Sequence, residues 1–193
     1  MNSNEEYNNF LQMIKDGERL SNIPQEYRTY EMCLEAVRRN GITLCCVPRD
    51  LRSYEICLYA VKQYGYVLSY VPIKYRDYGM CLTAVKSSGF AIDYVPRVYL
   101  NKKLYIEAVK QNGRVLKYIP IEERDYEICK EALNQISKNM SFRIFISNKE
   151  YENNVVIESI IQNKWILNYI PDEYKDKLIQ EFKLDKEERL LCI

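Results

Sequence analysis

Pro24, Pro48, Pro72, Pro96 and Pro120 recur at one fixed interval, and Gly17, Gly41, Gly65, Gly89 and Gly113 keep the same interval. A fixed period between about 20 and 50 residues marks a stacked array, in which one small unit recurs and buries its apolar face on the next. The wording between the landmarks recurs as well. Residues 54–77, YEICLYAVKQYGYVLSYVPIKYRD, are rewritten along most of the chain. The period predicts an all-α solenoid of about seven 24-residue long-helix/short-helix repeats with a C-terminal capping helix.

Boundaries placed after each proline give units 1–24, 25–48, 49–72, 73–96, 97–120, 121–147 and 148–171, with a cap over 172–193. Stacked units touch only their neighbours, so 1–193 reads as a single repeat domain. The sixth unit is irregular. Ser147 takes its proline slot, Pro171 follows one full period later, and three extra residues fall between Leu133 and Ser147.

Five residues past each proline come Thr29, Ser53, Asp77, Asn101, Asp125 and, last, Asp176. Each carries an oxygen that accepts from the free N–H groups of a first helical turn, so each is expected at an N-cap. A long helix then runs to the periodic glycine, expected in the left-handed C′ position. At about 100° per residue, Tyr54, Ile56, Cys57, Leu58, Ala60, Val61 and Tyr64 cover about 200° of the wheel, as in an interior helix covered on several sides. Val67, Leu68 and Val71 fit a short second helix that the proline ends. Ala36, Ala60, Ala84, Ala108 and Ala132, with Ser159 after them, share one slot where long helices approach closely.

Charge excludes a strong field. The chain has 28 basic and 27 acidic residues, so nothing global draws it to nucleic acid or anionic lipid. Pro24 to Ala132 holds 17 basic and 13 acidic residues, a local net of +4. No run approaches 18 apolar residues, so no membrane association is expected. The start, MNSNEEYNNF, has neither a basic region nor an apolar run and reads as no signal peptide. Cys33, Cys57, Cys81 and Cys129 share one slot, and helix axes stack about 8–10 Å apart, too far for a disulfide. A reduced, cytoplasmic protein is therefore expected. Histidine is absent, which removes the commonest general base and metal ligand. Cys45 and Cys46 have no second pair to complete a zinc site. Paired acids, Glu122 with Glu123 and Glu187 with Glu188, fall on loops or solvated faces. The reading is no enzyme, no metal and no cofactor.

The wording D-Y-E-x-C-L-x-A-V-x-x-x-G-x-x-L-x-Y-V-P, standing as DLRSYEICLYAVKQYGYVLSYVP and KYRDYGMCLTAVKSSGFAIDYVP, resembles the domain-of-unknown-function helical repeats called the four-one-one-six family. The resemblance covers Pro24 to Ile136, and 148–171 more loosely. It implies a helical-repeat fold and brings no activity, cofactor or catalytic residue. By association with short helical repeats of intracellular bacteria, protists and large viruses, it implies an effector- or inhibitor-like role, with a host cytosol as a place of action.

Two periodic rows are the candidate partner-binding residues. Arg28, Arg52, Arg76 and Arg124 each stand just before an N-cap, with Lys175 in the equivalent place and Leu100 the exception. A cation at the positive end of a helix is unfavourable, so these arginines either bond carbonyls ending the preceding short helix or a nearby acid such as Asp50 or Glu122, bridging units, or they contact anions such as phosphates. Tyr27, Tyr75 and Tyr99, with Tyr174, stand three residues after a proline and are expected to be partly exposed. Tyr70, Tyr94, Tyr118 and Tyr169 stand two before a proline and are expected to seal junctions. The leading expectation is an interaction protein that docks a partner protein through one face of the solenoid. The alternative is RNA or single-stranded DNA held by the Arg and Tyr rows. Partner identity and oligomeric state stay open.

Overall fold

A computed structural model describes residues 3–147 and 164–181. Among them there are α- and 3₁₀-helices and no strand, and the fold is the all-α solenoid the period predicts. The chain forms two compact units, Met1–Leu100 and Asn101–Ile193.

In the first unit, α1 (Ser3–Asp16), α2 (Tyr30–Arg39), α3 (Tyr54–Gln63) and α4 (Tyr78–Ser87) pack in sequence order. The expected caps form: Thr29, Ser53 and Asp77 accept from the N–H groups of Met32, Ile56 and Met80. The short second helix is a 3₁₀ segment, Gly41–Cys46, Gly65–Tyr70 and Gly89–Tyr94, and these lie side by side behind the long helices. Each proline then opens a further 3₁₀ turn that the period alone does not predict, such as Ile73–Tyr75.

The buried face is narrower than the wheel predicts. α2, α3 and α4 each bury four residues: Met32, Cys33, Ala36 and Val37, then Ile56, Cys57, Ala60 and Val61, then Met80, Cys81, Ala84 and Val85. Tyr54 and Tyr64, assigned to the apolar arc, are exposed, because they stand at the helix ends where the neighbouring layer stops. The short segments add Leu44, Val67, Leu68 and Ile92 to the core. A fully buried side chain of this size contributes about 1.5–3 kcal/mol, so burial is distributed evenly along the stack.

Of the periodic glycines, Gly17 alone ends its helix, α1, in the expected left-handed conformation. Among the described glycines only Gly17 has a positive φ, 111°. Gly41 and Gly65 are buried and open the short segments. A methyl group on Gly65 would stand 2.0 Å from the Ala84 carbonyl oxygen, and one on Gly41 2.8 Å from that of Ala60. The glycine and the alanine slots are thus two halves of one contact, with the short segment of one repeat resting on the next long helix. Close approach, not backbone twist, requires glycine there.

The second unit repeats this plan with α5 (Lys102–Gln111), the 3₁₀ segment Gly113–Tyr118 and α6 (Tyr126–Ser147). Asn101 and Asp125 cap through the N–H groups of Leu104 and Ile128. Gly113 again faces the carbonyl of Ala132, 2.3 Å from where a Cβ would stand. Here the regular spacing of the contacts changes. The short segment that packs beside Gly113–Tyr118 is Lys164–Tyr169. Arg124 reaches the carbonyl of Tyr169, far along the chain, where Arg76 reaches Tyr94 within one period. Tyr126 likewise meets the ring of Tyr174, where Tyr54 meets Tyr75 within one period. Both spans exceed the regular ones by the same amount, slightly more than one period. The long helix of the unit 121–147 and the short segment of the unit 148–171 thus make together the contacts that a single repeat makes elsewhere.

Ser137 stands where the periodic glycine would be. Without a glycine to seat the short segment, α6 runs on to Ser147. The closing helix spans Asp172–Glu181. Asp176 and Lys175 consequently lie inside it rather than at and before an N-cap, and Lys175 bonds Asp172 within the same helix. Residues 148–163 and 182–193, with Ser159 and the acids Glu187 and Glu188, lie outside the described residues.

Candidate functional site

The arginine row has a specific structural geometry. In the first unit, Nε of Arg28, Arg52 and Arg76 donates to the carbonyls of Ile23, Val47 and Val71, at 2.8–2.9 Å. Nη1 donates to the next repeat, to Cys46, Tyr70 and Tyr94, at 2.7–2.8 Å. Nη2 turns back to Ser21, Cys45 and Ser69, at 3.2–3.4 Å. Arg124 does the same in the second unit, to Ile119, Tyr169 and Lys117. Each guanidinium therefore binds the free carbonyl end of one 3₁₀ segment and ties it to the segment of the next repeat. Only the planar five-donor fork of arginine serves three acceptors in this way. The proximity to a helix N-terminus, unfavourable for a cation, is outweighed by these carbonyls. Burial pulls the pKa of Arg76 and Arg124 below its ordinary value, as expected for a partly desolvated cation.

A second set of ties escapes the sequence reading. Gln63 accepts the Gly41 N–H through Oε1, at 2.8 Å, and donates through Nε2 to the carbonyls of Val37 and Arg38 at the end of α2. Gln135 binds Gly113 and Gln111 alike. Arg39, in the same slot, caps α1 through the Lys15 carbonyl at 2.7 Å. The signal is a polar residue two places before the glycine: Arg39, Gln63 and Gln111.

The row expected to be partly exposed is so, with Tyr27 38% exposed, and it also packs; in the row expected to seal junctions Tyr169 is half-buried and the others are more exposed than expected. Tyr75, Tyr99 and Tyr174 are half-buried and meet Tyr54, Tyr78 and Tyr126 edge-on, with ring centroids 6.1–6.3 Å apart. Tyr27 lies against Phe10 at 5.2 Å. This row packs. In the other row Tyr70, Tyr94 and Tyr118 are on the surface, each about 40% exposed or slightly more (41%, 40% and 45%). The reason is the 3₁₀ form of the short segment, whose three-residue turn directs Val67, Leu68 and Val71 inward and leaves the last tyrosine outside.

One face of the first unit consequently carries exposed apolar residues in register. Ile42, Tyr66 and Phe90 follow the seated glycines and are 38%, 42% and 38% exposed, and Tyr70 and Tyr94 end the same segments. Tyr64 lies 5.9 Å from the ring of Tyr66 and extends the surface. On the outer side of the long helices, Arg38 reaches Glu55 at 3.6 Å and covers the Tyr59 ring at 4.9 Å. Tyr30 donates to Glu55 at 2.8 Å. In the second unit the corresponding slots hold Arg114 and Trp165, the guanidinium 5.9 Å above the indole.

The cysteine ladder is inert. Cys33, Cys57, Cys81 and Cys129 are free and buried. Burial pushes the first three thiols up to about 11 and Cys129 to about 12. Among the described residues no helix is long and apolar enough to cross a membrane.

The family model described as Domain of unknown function (DUF4116) matches residues 29–76, 53–100 and 77–124, three overlapping copies one period apart. Comparison with curated proteins and with solved structures gives no match.

Proposed function

Residues 29–124 are repeats of the Domain of unknown function (DUF4116) family, and from that premise we propose that the chain is a non-enzymatic interaction protein, effector- or inhibitor-like. It docks a partner protein through the short-segment face of its first unit. The observation that carries this is the register of Ile42, Tyr66, Phe90, Tyr70 and Tyr94, all exposed on segments whose backbone is locked by arginine forks and glycine–alanine contacts. Tyrosine and phenylalanine on a rigid frame supply contact area at little entropic cost, and they are the types enriched at the centres of protein interfaces. A contiguous exposed apolar surface marks an interaction site.

The same geometry argues for a protein partner over nucleic acid. A phosphate at Arg28, Arg52 or Arg76 would compete with carbonyls already bound at 2.7–2.9 Å. The test is capture from a cell lysate with the full chain as bait, beside a Tyr66→Ser/Phe90→Ser variant. A specific protein retained by the native chain and lost from the variant supports the reading. RNA or single-stranded DNA that binds the native chain more tightly as salt falls would transfer the function to nucleic acid.

A further inference from the structure

Cys45 and Cys46 break the repeat, since the equivalent places hold Ser69 with Tyr70 and Asp93 with Tyr94. Both thiols are free, and their sulfurs stand 3.5 Å apart. Cys45 is exposed and Cys46 half-buried. Both line a cleft of about 390 Å³ whose apolar wall includes Leu20, Ala36 and Ile42. Their backbone is fixed by two members of the arginine row: Arg28 holds the Cys46 carbonyl at 2.8 Å and Arg52 the Cys45 carbonyl at 3.4 Å. A dithiol held this way is preorganised for chelation.

We propose that Cys45 and Cys46 form a chelating site for a soft, pyramidal trivalent thiophile of the arsenic(III) class, its third substituent directed into the cleft. The sulfur separation fits this geometry. With a metal–sulfur bond of about 2.3 Å, a linear ion holds two thiolates about 4.6 Å apart and a tetrahedral one about 3.8 Å apart. A pyramidal centre with a bond angle near 100° needs about 3.5 Å at the same bond length, which is the separation found. A tetrahedral zinc would also need two more ligands, and among the described residues no group of three or more His, Cys, Asp or Glu gathers. Thiolates are the preferred ligands of soft ions.

The chemistry balances without an oxidant or reductant. Two As–S bonds form and two As–O bonds break, and each thiol proton leaves with the displaced oxygen as water. Arg28 and Arg52 favour the Cys46 thiolate but are outweighed by burial, and a condensation that starts from neutral thiols does not need it. The four ladder cysteines do not compete, being fully buried and at least one repeat apart.

The test uses phenylarsine oxide on the full chain in a Cys192→Ser background, read by native mass spectrometry. One aryl-arsenic adduct per chain is expected, with loss of two titratable thiols and removal by excess ethanedithiol. Cys45→Ser and Cys46→Ser should each abolish the adduct while keeping the native helical circular dichroism. Cys57→Ala should leave it in place. No adduct on the native chain, or an adduct that persists in either serine variant, overturns the proposal.

Discussion

Replacing Gly65 by alanine adds one methyl group where the structure has no room for it. The new Cβ would stand 2.0 Å from the Ala84 carbonyl oxygen, 2.8 Å from the Ser88 nitrogen and 2.9 Å from the Ala84 carbonyl carbon. All three are backbone atoms, so no side-chain rotation relieves the clash and the short segment must lift off α4. Overpacking of a core costs about 1–3 kcal/mol, and an obstruction of this kind belongs at the upper end. Loss of the unfolded-state freedom of glycine returns about 0.4–1 kcal/mol, which leaves a net destabilisation of about 2 kcal/mol. The series has an internal order. Gly113→Ala, at 2.3 Å from Ala132, should cost slightly less, and Gly41→Ala, at 2.8 Å from Ala60, least. Gly79 is the control: it is exposed in α4 and its Cβ would meet only the Asp77 carboxylate at 3.4 Å. Gly79→Ala should stabilise by about 0.5–1 kcal/mol through helix propensity. Urea unfolding followed by circular dichroism measures all four, and in a chain of this size 1 kcal/mol moves Tm by about 2–4 °C. If Gly65→Ala matched or exceeded the native midpoint, the short segments would not rest on the alanine slot and the packing account would fail.

Other outcomes follow from the same contacts. Arg76→Lys keeps the charge and loses the fork, and with three carbonyls to serve it should destabilise by about 1–3 kcal/mol, whereas exposed Arg97→Lys should be neutral in the same urea titration. Ala84→Leu should cost about 1–3 kcal/mol by the same overpacking, with an unchanged midpoint contradicting the burial of that slot. Alkaline pH should destabilise the fold. The ladder thiols are pushed up to about 11–12, so their protonated form belongs to the folded state. That stability is complete below the ordinary thiol range near 9 and is lost as pH rises toward 12; a denaturation midpoint flat from pH 8 to 11 would contradict it. Tyr126→Ala and Tyr174→Ala should have effects on stability that do not add, because the two rings pack edge-on, and strict additivity would contradict that contact.

What the sequence discloses and what it conceals divides by range. The N-caps at Thr29, Ser53, Asp77, Asn101 and Asp125 are legible because the acceptor and its N–H lie three residues apart. The role of Gly65 is not, because its obstacle is Ala84, in the next repeat. A C′ assignment is the best local reading of such a glycine, and a non-local contact replaces it. Tyrosine exposure is concealed for a similar reason: a 3₁₀ turn of three residues and an α-turn of 3.6 direct Tyr70 differently. The pairing of Arg124 with Tyr169 is concealed because its two ends lie in units that the period keeps apart. The arginine row is visible as a row, and both of its possible uses can be named from sequence. Its bonding to carbonyls rests on 3₁₀ ends that periodicity alone does not place.

The claim that the short-segment face is the docking surface is tested most directly by site-specific photocrosslinking in lysate. A benzophenone amino acid is placed at Tyr66, Phe90 or Tyr94 on that face, and at Lys62 or Lys86 on the long helices. The account predicts one protein partner crosslinked from the three face positions and absent from the two helix positions. Crosslinks from Lys62 and Lys86 alone, to nucleic acid instead of protein, or from none of the five would contradict it.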